Sequence, residues 1–379
     1  MVKIVNNIPF NQSSLQGREL EYTSRAIKSG QIGGDQYFSK KCQNLLESVL
    51  KVPKALVTTS CTHALEMAAI LLDIQPGDEV IIPSFTFVST ANAFVLRGAT
   101  PIFIDVRKDT LNLDESLLGS IITEKTKAIV PVHYAGVACE MNVIQKFAER
   151  HGIAIIEDNA HGLFGKSNGQ WLGSFGSLST LSFHETKNIT CGEGGALLIN
   201  DLNLIERAEV IREKGTNRSK FSRGEIQKYS WVDLGSSYVM SDLLAAYLYG
   251  HLEVWEKIQR ARKNLWNRYH LSLNDWSRTH SALQPTVPLH CEQAWHMYYL
   301  ILPTPEFRDR LIIHLKKCSI TAVFHYLPLE NTPFGKSFDQ AECPNSNDLS
   351  KRLVRLPFYT NMSTEDQNKV IDSILTFEC

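Results

Sequence analysis

Residues 61–106 read CTHALEMAAILLDIQPGDEVIIPSFTFVSTANAFVLRGATPIFIDV and alternate between two kinds of segment. The first segment, up to Ile74, is apolar at helical spacing and ends before the turn formers Pro76 and Gly77. Residues 79–82 then predict a short buried strand, residues 86–96 a second helix and residues 102–106 a second strand. This alternation predicts an α/β fold with a parallel sheet covered on both faces.

The alternation continues toward the C-terminus. Strands are predicted at 128–132, 153–156, 181–183 and 196–199, and helices at 114–122 and 143–150 precede the first two of them. Residues 212–227 are polar and predict a long exposed loop. From about Tyr249, helices flank short strands, which predicts a large domain over residues 1–250 with an N-terminal arm and a smaller C-terminal α+β domain over residues 251–379.

The composition is that of a globular chain without a strong charge. The 379 residues suit two domains, and a formal net charge of −1 argues against a general nucleic-acid partner. The sequence has no apolar run able to span a bilayer and no secretory signal, so we expect a cytoplasmic protein without a membrane partner. The eight cysteines are scattered without a CxxC pair, which predicts reduced thiols and no metal site.

Ligands of such sheets bind beyond the carboxyl ends of the strands, and four short motifs fall there. The first is Thr59-Ser60-Cys61-Thr62, where hydroxyl side chains and free backbone N–H groups at a helix start suit a phosphate. The alternative is an ordinary helix N-cap. The second is Phe87, whose ring could stack on a flat heterocycle, or pack in the core.

The third motif is the strand end Glu157-Asp158-Asn159-Ala160-His161. A buried carboxylate needs a partner, and a pyridinium N–H would be one. The alternative is an Asp that caps the next helix. Lys187 is the fourth feature, in the loop SFHETKN between two strands and ahead of Gly192-Glu193-Gly194-Gly195. Burial can hold such an amine partly deprotonated, as a Schiff-base lysine requires, whereas a surface lysine in a hairpin is the plain alternative.

The motifs SCTHALEMA, GDEVIIPSFTFVSTANA, PIFIDV, EDNAHG and SFHETKN…GEGG, taken in this order, resemble those of the DegT/StrS sugar aminotransferases. The resemblance extends from Ile8 to beyond Pro328 and implies pyridoxal phosphate (PLP) as cofactor and PLP fold type I. TANAFVLRGA, VPVHYAGVACEM, IREKGTNRS and GSSY are similar to the subgroup that makes TDP-4-amino-4,6-dideoxygalactose.

The resemblance also implies roles for individual residues. Lys187 would form the Schiff base with the cofactor and move the proton, and Asp158 would pair with the pyridine nitrogen. The remaining cofactor contacts would come from Cys61, Thr62, Phe87, His161, Ser182 and Ser237. The substrate contacts would come from His325, Asn217 and Arg218, the last two in the segment Lys214–Lys220 that offers cations to a diphosphate.

At three positions the chain differs from the common family pattern. Cys61 stands where most members have Gly, Gly235-Ser236-Ser237-Tyr238 offers hydroxyls where many members have Asn, and Glu330 stands where His is frequent. The Ser237 assignment and the sugar contacts therefore stay open.

The implied reaction is amino transfer from L-glutamate to TDP-4-keto-6-deoxy-D-glucose, for surface-polysaccharide synthesis such as that of O-antigen or enterobacterial common antigen. The product is expected to be TDP-4-amino-4,6-dideoxy-D-galactose, with the D-glucose isomer as the alternative. A PLP-dependent sugar 3-dehydratase and a non-catalytic regulator on the same fold are further alternatives. Members of this fold type build their sites between two subunits, so a homodimer with shared active sites is expected.

Overall fold

The computed structural model describes residues 7–338 and 342–378. Its strands are β1 (Lys54–Thr58), β2 (Glu79–Pro83), β3 (Thr100–Ile104), β4 (Thr126–Ile129), β5 (Ala154–Asp158), β6 (Lys166–Ser167), β7 (Gln170–Trp171), β8 (Leu178–Ser182), β9 (Gly195–Ile199), β10 (Cys291–Glu292), β11 (Tyr299–Ile301) and β12 (Leu353–Arg355).

The helices alternate with these strands in the first half of the chain and dominate the second half. They are α1 (Glu19–Ser29), α2 (Tyr37–Leu50), α3 (Cys61–Leu71), α4 (Val88–Val95), α5 (Leu118–Ile121), α6 (Met141–His151), α7 (Ile205–Arg212), α8 (Arg218–Ser222), α9 (Asp242–Leu252), α10 (Trp255–Ser272), α11 (Asn274–Thr279), α12 (Pro305–Lys317), α13 (Pro344–Arg352) and α14 (Thr364–Leu375).

Seven strands form the central sheet, in the order β1-β9-β8-β5-β4-β2-β3. The pairs from β8 to β3 are parallel, whereas β9 runs antiparallel to both β1 and β8. The predicted α/β class with a mostly parallel central sheet is confirmed. The carboxyl ends of β2, β4, β5 and β8 therefore lie along one edge, and this edge carries the candidate site.

Apolar side chains cover both faces of the sheet. One buried cluster joins α3 and α4 to the strands, and another joins α2 and α9 to the opposite face. A third cluster unites α10, α12 and α14 with β11 and β12, and it includes Ile8 near the N-terminus. The backbone N–H of Ile8 donates to Ser319, so the first described residues pack on the C-terminal part. The proposed division at residue 250 stays a prediction.

The expected long exposed loop at 212–227 is partly wrong. Arg212 ends α7, is only 2% exposed, and donates to Gln43 Oε1 at 2.7 Å and Asp35 Oδ1 at 2.8 Å. Residues 218–222 then form the short helix α8. Polarity suggested solvent exposure, but a buried guanidinium is stable where carboxylate and amide oxygens satisfy it.

No helix within residues 7–338 and 342–378 combines the length and the apolar content needed to cross a bilayer. The described cysteines are all free thiols, and Cys379 lies outside the described residues.

Candidate active site

The start of α3 presents unpaired backbone donors to the site edge of the sheet. Ser60 is the N-cap and its Oγ accepts from the backbone N–H of His63 at 3.1 Å. The N–H groups of the first helical turn have no acceptor within the helix, and those of Cys61 and Thr62 belong to this turn. The Thr62 hydroxyl adds a side-chain donor and lies 2.8 Å from the Ser89 Oγ. The arrangement can hold a phosphate.

Gly195 fixes the position of this helix start. A Cβ built on Gly195 would lie 2.4 Å from the Cys61 backbone nitrogen and 2.4 Å from the Ser60 carbonyl carbon. Gly195 also faces Ser182 across the β8–β9 ladder. The absence of a side chain at residue 195 therefore lets the β9 backbone touch the helix start, which brings the buried Ser182 to the same place.

Asp158 ends β5 and is 5% exposed. Its Oδ2 accepts from Thr90 Oγ1 at 2.7 Å, and its Oδ1 accepts from the Ala160 backbone N–H at 3.2 Å. Glu157, one residue earlier, points to the other face of the sheet, where His133 and the N–H groups of the 173–176 turn satisfy it. The alternation of the strand thus gives the two neighbouring carboxylates separate surroundings.

Lys187 lies in the connection between β8 and β9, where its N–H donates to the His184 carbonyl at 2.9 Å. Burial lowers the pKa of its amine to about 8 because the ammonium loses hydration. The Arg355 charge lowers it further, whereas Cys61 and Asp158 act in the opposite direction. The N-terminal segment covers this loop, since Asn11 and Ser13 both donate to the Glu185 carbonyl.

Burial raises the pKa of the Cys61 thiol to about 12. The charges that act on this thiol are those of Asp158 and Lys187. A thiol with such a pKa is protonated at neutral pH and does not act as a nucleophile.

His161 stacks on His296, with ring centroids 4.3 Å apart. His296 in turn donates from Nδ1 to Asn188 Oδ1 at 3.0 Å, next to Lys187. Burial holds the pKa of both imidazoles well below the ordinary value, so both are neutral. His161 Nδ1 is buried without a hydrogen-bond partner in the described structure, which leaves it free for a ligand atom.

Aromatic side chains form the wall opposite the sheet. Phe87 is the N-cap of α4, 56% exposed, and its ring centroid lies 6.2 Å from that of Tyr326. Phe87 is thus not the core residue of the alternative interpretation. The Tyr326 hydroxyl lies 3.4 Å from His161 Nε2. His325, the predicted substrate residue, is buried and its Nδ1 lies 2.8 Å from the Tyr134 hydroxyl.

Two predicted substrate residues have their recorded side-chain contacts with residues outside this group. Asn217 Oδ1 accepts from the Ser230 N–H at 2.8 Å, and the Arg218 guanidinium lies 6.0 Å from the Tyr229 ring centroid. Ser237 is exposed on the segment that pairs with the end of β1 through the Val239–Thr58 bridge. Their roles stay predictions.

The side chain of Glu330 is held by other side chains of the fold. It is buried, and its carboxylate accepts from the Ser84 hydroxyl and from the side-chain amides of Asn331 and Asn347. The carboxylate therefore ties the end of β2 to α13. No group of three or more metal-ligating side chains occurs in the described ranges.

The sequence interpretation missed four side chains at the site, namely Thr90, His296, Tyr326 and Arg355. Tyr326 adjoins the predicted His325, and Thr90 lies in the STANA stretch, so a local signal existed for both. His296 and Arg355 reach the site from the C-terminal part only through the tertiary fold.

The model of the DegT/DnrJ/EryC1/StrS aminotransferase family matches residues 13–375. The chain belongs to this family. It is also 30% identical to the spore coat polysaccharide biosynthesis protein SpsC of Bacillus subtilis, with 97% of this chain and 96% of that protein covered.

Solved structures of the family resemble the fold closely. A DegT DnrJ EryC1 StrS aminotransferase from Brucella abortus has a TM-score of 0.86, 30% identity and 94% coverage of both chains. The PLP-form of the putative sugar aminotransferase Spr1654 from Streptococcus pneumoniae has a TM-score of 0.87, 25% identity and 97% coverage of both chains. The predicted PLP aminotransferase fold is confirmed.

PLP is the cofactor of this family, and the residues of the site fit it. The free donors of the α3 start suit its phosphate, the buried Asp158 carboxylate suits a pyridinium N–H, and Lys187 supplies a partly deprotonated amine. The unpartnered His161 Nδ1 offers a further contact within the same group.

Proposed function

We propose that this aminotransferase moves the amino group of L-glutamate to the 4-keto carbon of TDP-4-keto-6-deoxy-D-glucose, forming TDP-4-amino-4,6-dideoxy-D-galactose and 2-oxoglutarate. The observation that carries the amino-transfer step is the partly buried Lys187 amine, whose pKa burial lowers to about 8 and which interacts electrostatically with the Asp158 carboxylate. The sugar substrate is supported by the similar fold of Spr1654, which is named a putative sugar aminotransferase, and by the polysaccharide role that the name of SpsC states.

In this proposal Lys187 is the catalytic acid and base. Bound PLP supplies the electron sink that stabilises the carbanion next to the transferred nitrogen. The neutral Lys187 amine takes the proton from the donor's α-carbon, and its ammonium form returns a proton to the sugar's C4. Transfer by one positioned side chain accounts for roughly 10²–10⁴-fold of the rate. Asp158, whose carboxylate accepts from the Thr90 hydroxyl, would pair with the pyridine nitrogen.

The other cofactor residues position the ring and its phosphate. Cys61 and Thr62 donate backbone N–H groups to the phosphate, and the hydroxyls of Ser182 and Ser237 complete its surroundings. Phe87 would cover one face of the ring, since its own side chain is exposed in the single chain and free to contact a ligand. His161 donates to the ring substituents from its Nδ1 side.

The substrate contacts are proposed to come from two subunits. His325 lies near the sugar, whereas Asn217 and Arg218 offer hydrogen bonds and charge to the diphosphate. Because the side-chain contacts of these two residues lie outside the group around Lys187 in the single chain, the proposal includes a homodimer in which they serve the partner's site. Sedimentation of the purified enzyme checks this, since an active monomer contradicts it. The proposed setting is the cytoplasm, in surface-polysaccharide synthesis.

The decisive experiment is incubation with TDP-4-keto-6-deoxyglucose and glutamate, followed by NMR of the product. A small H3–H4 coupling identifies the axial amine of the galactose product, and a large one identifies the glucose isomer. A keto-sugar that loses its 3-hydroxyl instead identifies a 3-dehydratase. A protein that stays colourless after PLP addition and produces no amine contradicts the enzyme and favours the regulator.

A further inference from the structure

Arg355 is a cation at the edge of the site without an acidic partner among the described residues. It is the last residue of β12, and its Nε is buried with no hydrogen-bond partner in the described structure. No ion pair links it to a carboxylate of residues 7–338 or 342–378. The neighbouring Arg352, by contrast, pairs with Asp348. A partly buried guanidinium without an anion is costly unless a ligand supplies one.

The strand pairing directs Arg355 to the site. Arg355 lies opposite Tyr299 in the β11–β12 ladder, so the two side chains share a face of this sheet. The Tyr299 ring centroid lies 5.8 Å from that of Tyr134, which in turn contacts His161 and His325. The Phe10 ring lies 4.5 Å below the guanidinium carbon and covers one of its faces. The N–H groups along the edge of the Arg355 guanidinium therefore remain available to a planar anion.

The charge of Arg355 reaches the reactive amine. It lowers the pKa of Lys187 and of the imidazoles His161, His296 and His325. Arg355 therefore lies within electrostatic reach of Lys187 and of the three imidazoles around it.

The chemistry of the substrates selects the anion. The amino donor carries its α-carboxylate on the carbon that bears the transferred nitrogen, within two bonds of the reacting atoms. The sugar carries its diphosphate on C1, across the ring from C4. A cation close to Lys187 is thus placed for the donor, and a guanidinium pairs with a carboxylate through two parallel hydrogen bonds.

We propose that Arg355 binds a carboxylate of the amino donor and so selects an amino acid as the source of nitrogen. The inference rests on the proposed aminotransferase function. It predicts that Arg355 serves the donor half of the reaction and leaves the sugar half unchanged.

The test follows the two half-reactions separately, in the PLP-loaded enzyme and its Arg355→Met, Arg355→Lys and Arg352→Met variants. Stopped-flow absorbance follows bleaching by glutamate, and the aminated form of each enzyme is then mixed with the keto-sugar. We expect R355M to slow bleaching at subsaturating glutamate on the order of 10²-fold, because it removes a charged partner. We expect R355K to lose about 10-fold, since an ammonium keeps the charge without the fork.

The control R352M is expected to keep both rates, because its ion pair lies outside the site. Glutarate binding, measured by calorimetry on the cofactor-free protein, should weaken in R355M by a similar factor and stay unchanged in R352M.

Use of glutamine as the donor distinguishes the two carboxylates of glutamate. An equal loss with glutamine assigns the α-carboxylate, and a loss confined to glutamate assigns the γ-carboxylate.

Three results would overturn the inference while leaving the proposed function intact: bleaching of R355M at the wild-type rate, a loss confined to the sugar half, or an equal loss in both halves. A wild-type enzyme that glutamate does not bleach refutes the proposed function itself. Thermal unfolding of each variant identifies a folding defect. If R355M is misfolded, the comparison with the wild-type enzyme uses R355K.

Discussion

Replacing Gly195 with Ala tests whether contact between β9 and the α3 start sets the affinity for the cofactor phosphate. The new Cβ would lie 2.4 Å from the Cys61 nitrogen, 2.4 Å from the Ser60 carbonyl carbon and 2.5 Å from the Ser60 oxygen. All three atoms belong to the backbone, so no side chain can rotate away. The gap must open by about 1 Å to reach ordinary contact at 3.4 Å.

The strand cannot move readily, because Gly195 pairs with Thr58 on one side and Ser182 on the other. The helix start is therefore expected to shift and to misalign the Cys61 and Thr62 donors. Overpacking of this kind costs about 1–3 kcal/mol. If about 2 kcal/mol appears in cofactor binding, the dissociation constant for PLP rises roughly 30-fold.

The assay titrates the cofactor-free protein with PLP and follows absorbance, alongside urea unfolding. Gly119→Ala is the matched control, since its added Cβ would meet no described atom within 4 Å apart from its chain neighbours and the backbone of its own helix. G195A protein that binds PLP as tightly as G119A would refute the reasoning. A lower free energy of unfolding with unchanged PLP affinity would show that the strand, not the helix start, has moved.

Three further outcomes follow from the site. With its pKa near 8, the Lys187 amine is about one-tenth neutral at pH 7. The rate at which PLP attaches to the cofactor-free protein should therefore rise tenfold per pH unit up to about pH 8 and then level off. A rate that still rises at pH 10 would contradict this. Asp158→Asn should lower the amino-transfer rate on the order of 10²–10³-fold with little loss of stability, as measured by steady-state kinetics and urea unfolding. Glu157→Gln should instead keep the amino-transfer rate and lower the free energy of unfolding by about 1–3 kcal/mol, because an amide NH₂ would face the N–H donors of Phe175 or Gly173. Equal effects of the two variants on rate and stability would refute the separate roles of the two carboxylates.

Local patterns sufficed for much of the fold. The apolar periodicity placed α3 and the strands β2, β5 and β9 within a few residues, because helix and strand spacing is written into neighbouring positions. The segment expected as a strand at 102–106 is observed at Thr100–Ile104, since Val106 instead bridges to Leu113 in the following turn. Strand ends depend on such partners, which local spacing does not contain.

The order of the strands needed the tertiary structure. The sequence predicts β8 and β9 as neighbours around the Lys187 loop, but not that β9 lies between β1 and β8. This position of β9 places Gly195 against the start of α3 and brings the predicted phosphate-binding residues there close to Ser182. It depends on pairing between residues far apart in the chain, such as Thr58 with Gly195.

The sequence alone determined which residue types carry the chemistry, namely Lys187 between two strands, Asp158 at a strand end and small residues at a helix start, because each depends on its immediate neighbours. Only the tertiary structure decided the surroundings that tune them. It partly buried Lys187, set neutral His296 behind His161, bound Glu330 to Ser84 and Asn347, and left Arg355 without an acidic partner among the described residues. Burial and charge pairing arise from segments that meet in space, and no single segment encodes them.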